Sequence, residues 1–176
     1  MSQLLGKIGP LDLGRGLVWS SVLVIRATGQ SRRKVLFEIG SFERRTPRLT
    51  LQLDLFDNLS LVIADRDGRS FQTSPATPAQ YNAGFPVVLQ FEIVPREPSA
   101  FRARLIINGR PMEAVEFEGD LAGEFPEPQQ SMGAALDGSD PGTFTVADVI
   151  LTAPLPDEKM AELQSWLMDK SSEAAS

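Results

Sequence analysis

The chain contains no cysteine and no histidine among its 176 residues. Without cysteine there is no disulfide framework, no thiolate metal ligand and no thiol nucleophile. Without histidine, the commonest general base and the commonest transition-metal ligand are missing. The composition therefore excludes Ser-His-Asp and Cys-His catalysis, and any catalytic activity would need carboxylates or a cofactor.

Long apolar runs are also absent. No segment approaches the roughly 18 consecutive apolar residues that a membrane-spanning helix needs. The first residues, Met1 to Gly9, lack the basic start and the apolar stretch of a secretory signal peptide. We expect no membrane association and no signal peptide, hence a protein that is cytoplasmic or assembled into a particle.

The net charge of -6 argues against nucleic acid as a partner. The charge is uneven, because residues 1–88 hold 11 Lys/Arg and 7 Asp/Glu (+4), whereas residues 89–176 hold 6 and 16 (-10). Basic residues of the first half form a basic patch if their loops meet: Arg32, Arg33, Lys34, Arg44, Arg45 and Arg48. Such a patch would suit sulfated or phosphorylated glycans, or an acidic surface of another subunit. The alternative is scattered, solvated loop charges.

Alternating apolar and polar residues dominate the chain. Leu49, Leu51, Leu53 and Leu55 alternate with polar residues, which predicts a strand with one face in the core. Asn108-Gly109 predicts a two-residue hairpin turn. About ten to twelve such short strands are spaced roughly 8 to 15 residues apart, a rhythm typical of a β-sandwich or jelly roll.

The spacing of apolar residues changes near the C-terminus, from that of a strand to that of a helix. Residues 143–153 are rich in β-branched side chains and predict a strand covered on both faces. A helix is predicted after Pro154, with Asp157 as its N-cap. Its apolar face is formed by Met160, Leu163, Trp166 and Leu167. We predict a single domain over residues 1–170, followed by a disordered tail over residues 171–176.

The last third of the chain resembles a known superfamily. Met132-Gly133-Ala134-Ala135-Leu136, a polar loop, the strand from Phe144 to Leu151, Pro154-Leu155-Pro156-Asp157-Glu158 and a short helix follow one another. This order is similar to the C-terminal signature of the concanavalin A-like lectin/glucanase superfamily and its laminin-G-like jelly rolls. Ile107-Asn108-Gly109 is similar to a hairpin of the same family. The resemblance implies an all-β, two-sheet antiparallel jelly-roll sandwich with one short C-terminal helix.

Three carboxylates at a spacing of two, Glu116, Glu118 and Asp120, share one face of a predicted strand. The β-glucanases of the superfamily carry a similar pattern, and retaining glycosidases need two carboxyl groups about 5 Å apart. The alternative is a solvated edge strand whose charges discourage edge pairing. Because Gly119 interrupts the strand and sugar-cleft aromatics are missing, we predict that the protein is not an enzyme.

Two loops carry candidate binding residues. In the first, Tyr81-Asn82 suits a sugar, with the Tyr ring stacking on its face and the Asn bonding its hydroxyls; a Tyr that closes the core is the alternative. In the second, Asp137 and Asp140 offer oxygen ligands for calcium, together with Asp57 or Asp65 from a neighbouring loop. Asp and Gly are also ordinary turn residues, so a plain turn is the alternative there.

The leading functional hypothesis is a non-catalytic binding module for a carbohydrate, with calcium as a candidate cofactor. The competing hypothesis is a structural or assembly protein, such as a particle decoration or tail component, that uses the same jelly roll for protein–protein contact. A homo-oligomer is compatible with either hypothesis. The chain has only 2 Trp and 1 Tyr, and this scarcity favours the structural or assembly hypothesis.

Overall fold

The computed structural model describes residues 4–7, 12–40, 46–122, 129–142 and 144–174. Within these residues the chain forms twelve strands, one 3₁₀ helix and one α-helix. In chain order they are β1 (Leu4–Lys7), the 3₁₀ helix (Leu13–Arg15), β2 (Leu17–Ile25), β3 (Lys34–Gly40), β4 (Arg48–Leu53), β5 (Leu59–Ala64), β6 (Ser70–Gln72), β7 (Pro86–Glu97), β8 (Ala100–Ile107), β9 (Arg110–Pro111), β10 (Val115–Glu118), β11 (Gln129–Met132), β12 (Phe144–Thr152) and α1 (Asp157–Ala174).

The strands form two antiparallel sheets. The first sheet has the order β1-β11-β3-β4-β5-β6, and the second has the order β10-β8-β7-β2-β12, with β9 also paired to β8. The prediction of an all-β, two-sheet antiparallel sandwich with one C-terminal helix is confirmed.

Inward-facing side chains of both sheets form one core. Trp19 of β2 stacks on Phe91 of β7, with ring centroids 5.2 Å apart, and lies 5.0 Å from the ring of Phe37 on the opposite sheet. The alternation along β4 is confirmed for Leu49, Leu51 and Leu53, which are fully buried. This aromatic contact joins the two sheets at their centre.

The Asn108-Gly109 turn is confirmed. Asn108 has φ 49° and Gly109 has φ 75°, so both residues adopt the left-handed conformation that a type I′ hairpin requires. The turn joins β8 to β9, and the Asn108 side chain accepts a hydrogen bond from the Val88 backbone N–H at 2.9 Å.

The prediction that the strand after residue 142 is covered on both faces is wrong. None of the described side chains of β12 is buried, and the strand lies at the edge of its sheet, where it pairs only with β2 within the described part of the chain. Its register shifts between Val146 and Asp148, which is a β-bulge, a device that protects exposed sheet edges. Val146 and Val149 are 36% and 37% exposed because no strand lies beyond them.

Helix α1 packs on the outer face of the second sheet, against β7 and β2. Leu167 is fully buried against Val22 and Val88, and Leu163 packs beside them. The predicted apolar face is therefore correct in part, since Trp166 remains 43% exposed. Among the described helices, none is long and apolar enough to cross a membrane.

Both ends of α1 differ from the prediction. Pro156 accepts the hydrogen bond of the Met160 N–H at 2.9 Å, so Asp157 is the first helical residue rather than the N-cap. Residues 171–174, assigned by the sequence to a disordered tail, are helical. Lys170 pairs with Glu173 across one turn of this last segment.

Replacing Leu167 by alanine tests how strongly the helix is held. We expect a loss of about 2–5 kcal/mol in the free energy of unfolding, because the change empties a fully buried site. The control is the adjacent Met168→Ala, which removes a side chain that is 40% exposed and should cost far less. Urea unfolding of both variants measures the difference, and equal losses would contradict this packing.

Candidate functional site

One end of the sandwich, which we call the loop end, holds the Asn108-Gly109 turn, whose Asn108 N–H donates to the Val88 carbonyl oxygen, and four further connections. The four are residues 26–33 between β2 and β3, residues 54–58 between β4 and β5, residues 73–85 between β6 and β7, and residues 133–142 after β11, which reach this end at Asp140. The antiparallel register brings them together, because β2, β4 and β6 end where β3, β5 and β7 begin.

Asp57 is the centre of the loop end. Its Oδ1 forms an ion pair with Lys34 Nζ, and both side chains are almost completely buried. The Gly29 backbone N–H donates to Asp57 Oδ2 at 2.9 Å, and the Tyr81 hydroxyl donates to the Asp57 carbonyl oxygen at 2.8 Å. One residue therefore holds three of the four connections together.

The fourth connection is tied to the start of β3. The Val35 N–H donates to the Asp140 carbonyl oxygen at 2.7 Å, and the Arg33 guanidinium bonds the Asp140 carboxylate through Nε, also at 2.7 Å. Asp140 has φ 49°, which the local turn requires. Asp140 therefore fixes the end of residues 133–142 next to the β2–β3 connection.

The β4–β5 turn is shaped by Asp54. Its carboxylate accepts hydrogen bonds from the backbone N–H groups of Phe56 and Asn58, at 2.7 and 2.9 Å, and from the Asn58 side chain at 3.0 Å. Burial by itself would raise the pKa of Asp54, but the hydrogen bonds from Asn58 and Phe56 stabilise the anion and lower the pKa below its ordinary value.

This turn projects apolar side chains into solvent. Phe56 is 79% exposed and Leu55 is 53% exposed. The leucine alternation predicts that Leu55 faces the core, but β4 ends at Leu53 and the Asp54 turn redirects the following residues. Leu55 therefore lies outside the core.

The β6–β7 connection projects a second phenylalanine. The Gly84 N–H donates to the Ile25 carbonyl oxygen at 2.8 Å, which fixes this connection against the end of β2. The next residue, Phe85, is 62% exposed, and the nearby Asn82 is exposed with φ 54°. The loop end thus displays Phe56, Phe85 and Leu55 on connections that internal hydrogen bonds hold in place.

Tyr81 does not contribute to this display. Its ring is fully buried in the core, so it offers no face to a sugar in this structure. Burial, followed by the charges of Asp57 and Asp54, raises the pKa of Tyr81 to about 12. The placement corresponds to the alternative interpretation, a tyrosine that closes the core, while Asn82 stays accessible.

The structure does not gather the calcium candidates into one site. Asp140 is paired with Arg33, and Asp57 with Lys34. Asp65 lies in the β5–β6 turn, at the opposite end of the sandwich, bound to Arg69 at 2.8 Å. The described residues contain no group of three or more acidic side chains that could hold a metal ion. Calcium binding stays a prediction.

Asp137 is exposed and caps its own turn, accepting a hydrogen bond from the Ser139 N–H at 2.9 Å. The hydrogen bonds from Ser139 lower the pKa of Asp137.

The basic residues do not form the single patch considered above. Lys34 is buried, and Arg33 and Arg32 lie at the loop end. Arg48 begins β4 at the other end of the sandwich, where it lies 3.7 Å from Glu38. Arg44 and Arg45 lie outside the described residues. The length of the seven-residue strand β3 separates Arg33 from the end at which Arg48 lies.

The three spaced carboxylates lie at an edge of the second sheet. Glu116 and Glu118 are exposed on β10, and Glu116 lies 3.6 Å from Arg102. Asp120, beyond the strand, lies 3.8 Å from Arg66. Asp120 also lines a cleft of about 510 Å³, bordered by residues 95–99 and 119–122. This cleft is at the opposite end from the exposed phenylalanines, so we place the candidate site at the loop end.

The sequence analysis missed Phe56 and Phe85. The signal was present, because each is a large apolar residue within a turn or loop of polar and glycine residues: Asp54-Leu55-Phe56-Asp57-Asn58 and Asn82-Ala83-Gly84-Phe85. A large apolar side chain in such a turn is easily left in solvent.

The sequence matches no protein-family model and no curated protein. Its structure is similar to the binding domain of botulinum neurotoxin serotype D, with a TM-score of 0.68 at 12% identity over 93% of this chain and 40% of that chain. The chain adopts a jelly-roll sandwich. It is also similar to the heptameric SAP-like pentraxin from Limulus polyphemus, with a TM-score of 0.56 at 10% identity over 85% of this chain and 67% of that chain.

A third similar structure is a full-length tailspike protein 2 from an Escherichia coli bacteriophage. The TM-score is 0.58 at 12% identity, over 93% of this chain and 23% of that chain. The jelly roll thus spans less than half the length of the neurotoxin domain and of the tailspike. At these identities the similarity establishes the fold alone.

Breaking the Lys34–Asp57 pair should destabilise the protein strongly. We expect Lys34→Met or Asp57→Asn to cost about 3–5 kcal/mol each, because each leaves one buried charge unpaired. The double variant should lose clearly less than the sum, as measured by urea unfolding. Lys159→Met, which breaks the exposed pair with Glu162, is the control and should cost less than about 1 kcal/mol. Additive losses would contradict this coupling.

Tyr81 is the only tyrosine in the chain, so tyrosinate absorbance reports this residue alone. We expect a pKa of about 12 in the folded protein, against 10.0 when the residue is solvated. The unfolded chain then releases this proton first, so the Tyr81 contribution to stability is lost as the pH rises from about 10 to about 12. Tyr81→Phe should remove that pH-dependent increment. A folded-state pKa near 10 would contradict the burial of the ring.

Proposed function

We propose that this protein is a non-catalytic binding module and that its loop end binds carbohydrate. The observation that carries the proposal is the exposure of Phe56 and Phe85 on connections fixed by the Asp57 network. Large apolar side chains exposed in this way, beside polar groups, are typical of interaction sites.

The chemistry of the loop end fits a sugar. The apolar C–H faces of a pyranose ring pack on aromatic faces, which Phe56 and Phe85 supply. Asn82 offers both a donor and an acceptor for hydroxyl groups. Because the Asp54 and Asp57 hydrogen bonds fix the turn before a ligand arrives, binding loses less conformational entropy.

The similar structures and the family resemblance support this proposal at the level of the fold. One neighbour is a neurotoxin receptor binding domain, by its own description, with 11% identity to this chain. The concanavalin A-like superfamily, which the C-terminal motifs resemble, has the same jelly-roll fold and includes lectins. The proposal that the ligand is a carbohydrate rests on the exposed side chains of this chain.

A structural or assembly role is the second candidate. The edge strand β12 exposes Val146 and Val149, and α1 exposes Trp166 and Met168. These apolar groups lie on the edge strand of the second sheet and on the helix that covers its outer face, and they suit contact with another protein. The similarity to a phage tailspike is compatible with that role.

The proposal predicts glycan binding that depends on the loop-end phenylalanines. We expect a positive glycan on an array, with Phe56→Ala and Phe85→Ala each weakening affinity about tenfold, since each removes a stacking surface. Trp166→Ala is the matched control, because it removes an exposed aromatic from α1 and should leave affinity unchanged.

Repeating the array with calcium and with a chelator tests the separate calcium prediction. Light scattering of the same sample distinguishes the second candidate. A defined oligomer with no glycan signal would contradict the carbohydrate proposal and favour assembly. A glycan signal that both phenylalanine variants retain would move the site away from the loop end.

A further inference from the structure

The carboxylates of the loop end are already engaged within the protein. Asp57 is bound to Lys34 and Gly29, and Asp140 to Arg33. Asp54 accepts three hydrogen bonds within its own turn. These three acids therefore stabilise the connections that carry them.

Two arginines at the same end have no such partner. Arg26 and Arg32 are both exposed in the β2–β3 connection. Neither forms an ion pair within the described residues, whereas Arg33, between Arg32 and the buried Lys34, is paired with Asp140. The charge that remains free on this connection is therefore positive.

Hydrogen bonds join the connection that carries these arginines to both connections that carry the phenylalanines. Ile25 accepts the Gly84 N–H at 2.8 Å, and Arg26 and Phe85 are the residues that follow the two partners of this bond. On the other side, Gly29 donates to Asp57, the residue after Phe56. The β2–β3 connection therefore contacts both phenylalanine-bearing connections.

We propose that the ligand of the loop end is an anionic saccharide, with a carboxylate or sulfate ester held by Arg26 and Arg32 and a sugar face packed on Phe56 or Phe85. This inference rests on the proposed function and names its ligand class. Guanidinium groups present paired N–H donors that match the oxygens of carboxylate and sulfate. Because the whole protein carries a net charge of -6, the attraction must come from these local arginines rather than from overall charge.

Matched pairs of polymers test the charge requirement. Dextran sulfate and dextran share one backbone and differ in the sulfate esters; polygalacturonate and its methyl ester differ in the free carboxylates. We expect calorimetry to detect binding of at least one charged polymer and of neither neutral partner. The pair that gives a signal identifies the anion.

Matched arginine variants test the location. We expect Arg26→Gln and Arg32→Gln each to weaken binding about tenfold, because each removes a charged hydrogen bond. Arg96→Gln is the control, since Arg96 is exposed in the β7–β8 region at the other end of the sandwich and forms no ion pair within the described residues. All three variants should unfold as the parent does.

Each contrary result has a distinct meaning. Equal weakening by Arg96→Gln would show general attraction to polyanions and overturn the inference. Binding of neutral dextran that depends on Phe56 but not on Arg26 would overturn the inference and leave the proposed function standing. If none of the four polymers binds, the anionic assignment is wrong, and the array with the phenylalanine variants decides separately on carbohydrate binding.

Discussion

The buried ion pair between Lys34 and Asp57 is the interaction on which the loop end depends. A buried charge pair is costly to desolvate and stabilises a protein only when further hydrogen bonds satisfy its remaining atoms. Here the Gly29 N–H binds the second carboxylate oxygen, and Tyr81 binds the carbonyl of the same residue. The Lys34–Asp57 pair therefore stabilises one arrangement of the β2–β3, β4–β5 and β6–β7 connections.

That arrangement explains how apolar side chains can remain exposed without collapsing onto the surface. The Asp54 and Asp57 hydrogen bonds fix the backbone on both sides of Phe56, and the bond from Gly84 to Ile25 fixes the backbone before Phe85. Hydrogen-bonded polar groups inside the turns thus hold the backbone that carries the exposed apolar side chains. Arg26 and Arg32 add positive charge at the same end, so the loop end exposes both aromatic and cationic groups.

Much of the fold could be predicted because it depends on local patterns. The leucines of β4 alternate with polar residues, and Asn108 and Gly109 both readily adopt the left-handed conformation that their type I′ turn requires. The site was predicted less well. Tyr81 and Asn82 lie on one of the connections of the proposed site, but the inward direction of the Tyr81 ring depends on Asp57, which is 24 residues away in the chain. The exposure of β12 is likewise a tertiary property, because only one of its two edges pairs with a described strand.

The sequence by itself determined the class of fold, the position of most strands, the helix that follows the last strand and the absence of histidine and cysteine chemistry, because each follows from composition or from short-range periodicity. Only the tertiary structure decided which polar residues are paired within the protein and which groups are exposed to solvent. Lys34 and Arg32 are two residues apart, yet one is buried with Asp57 and the other is exposed. The difference arises because burial and pairing are set by contacts between distant parts of the chain.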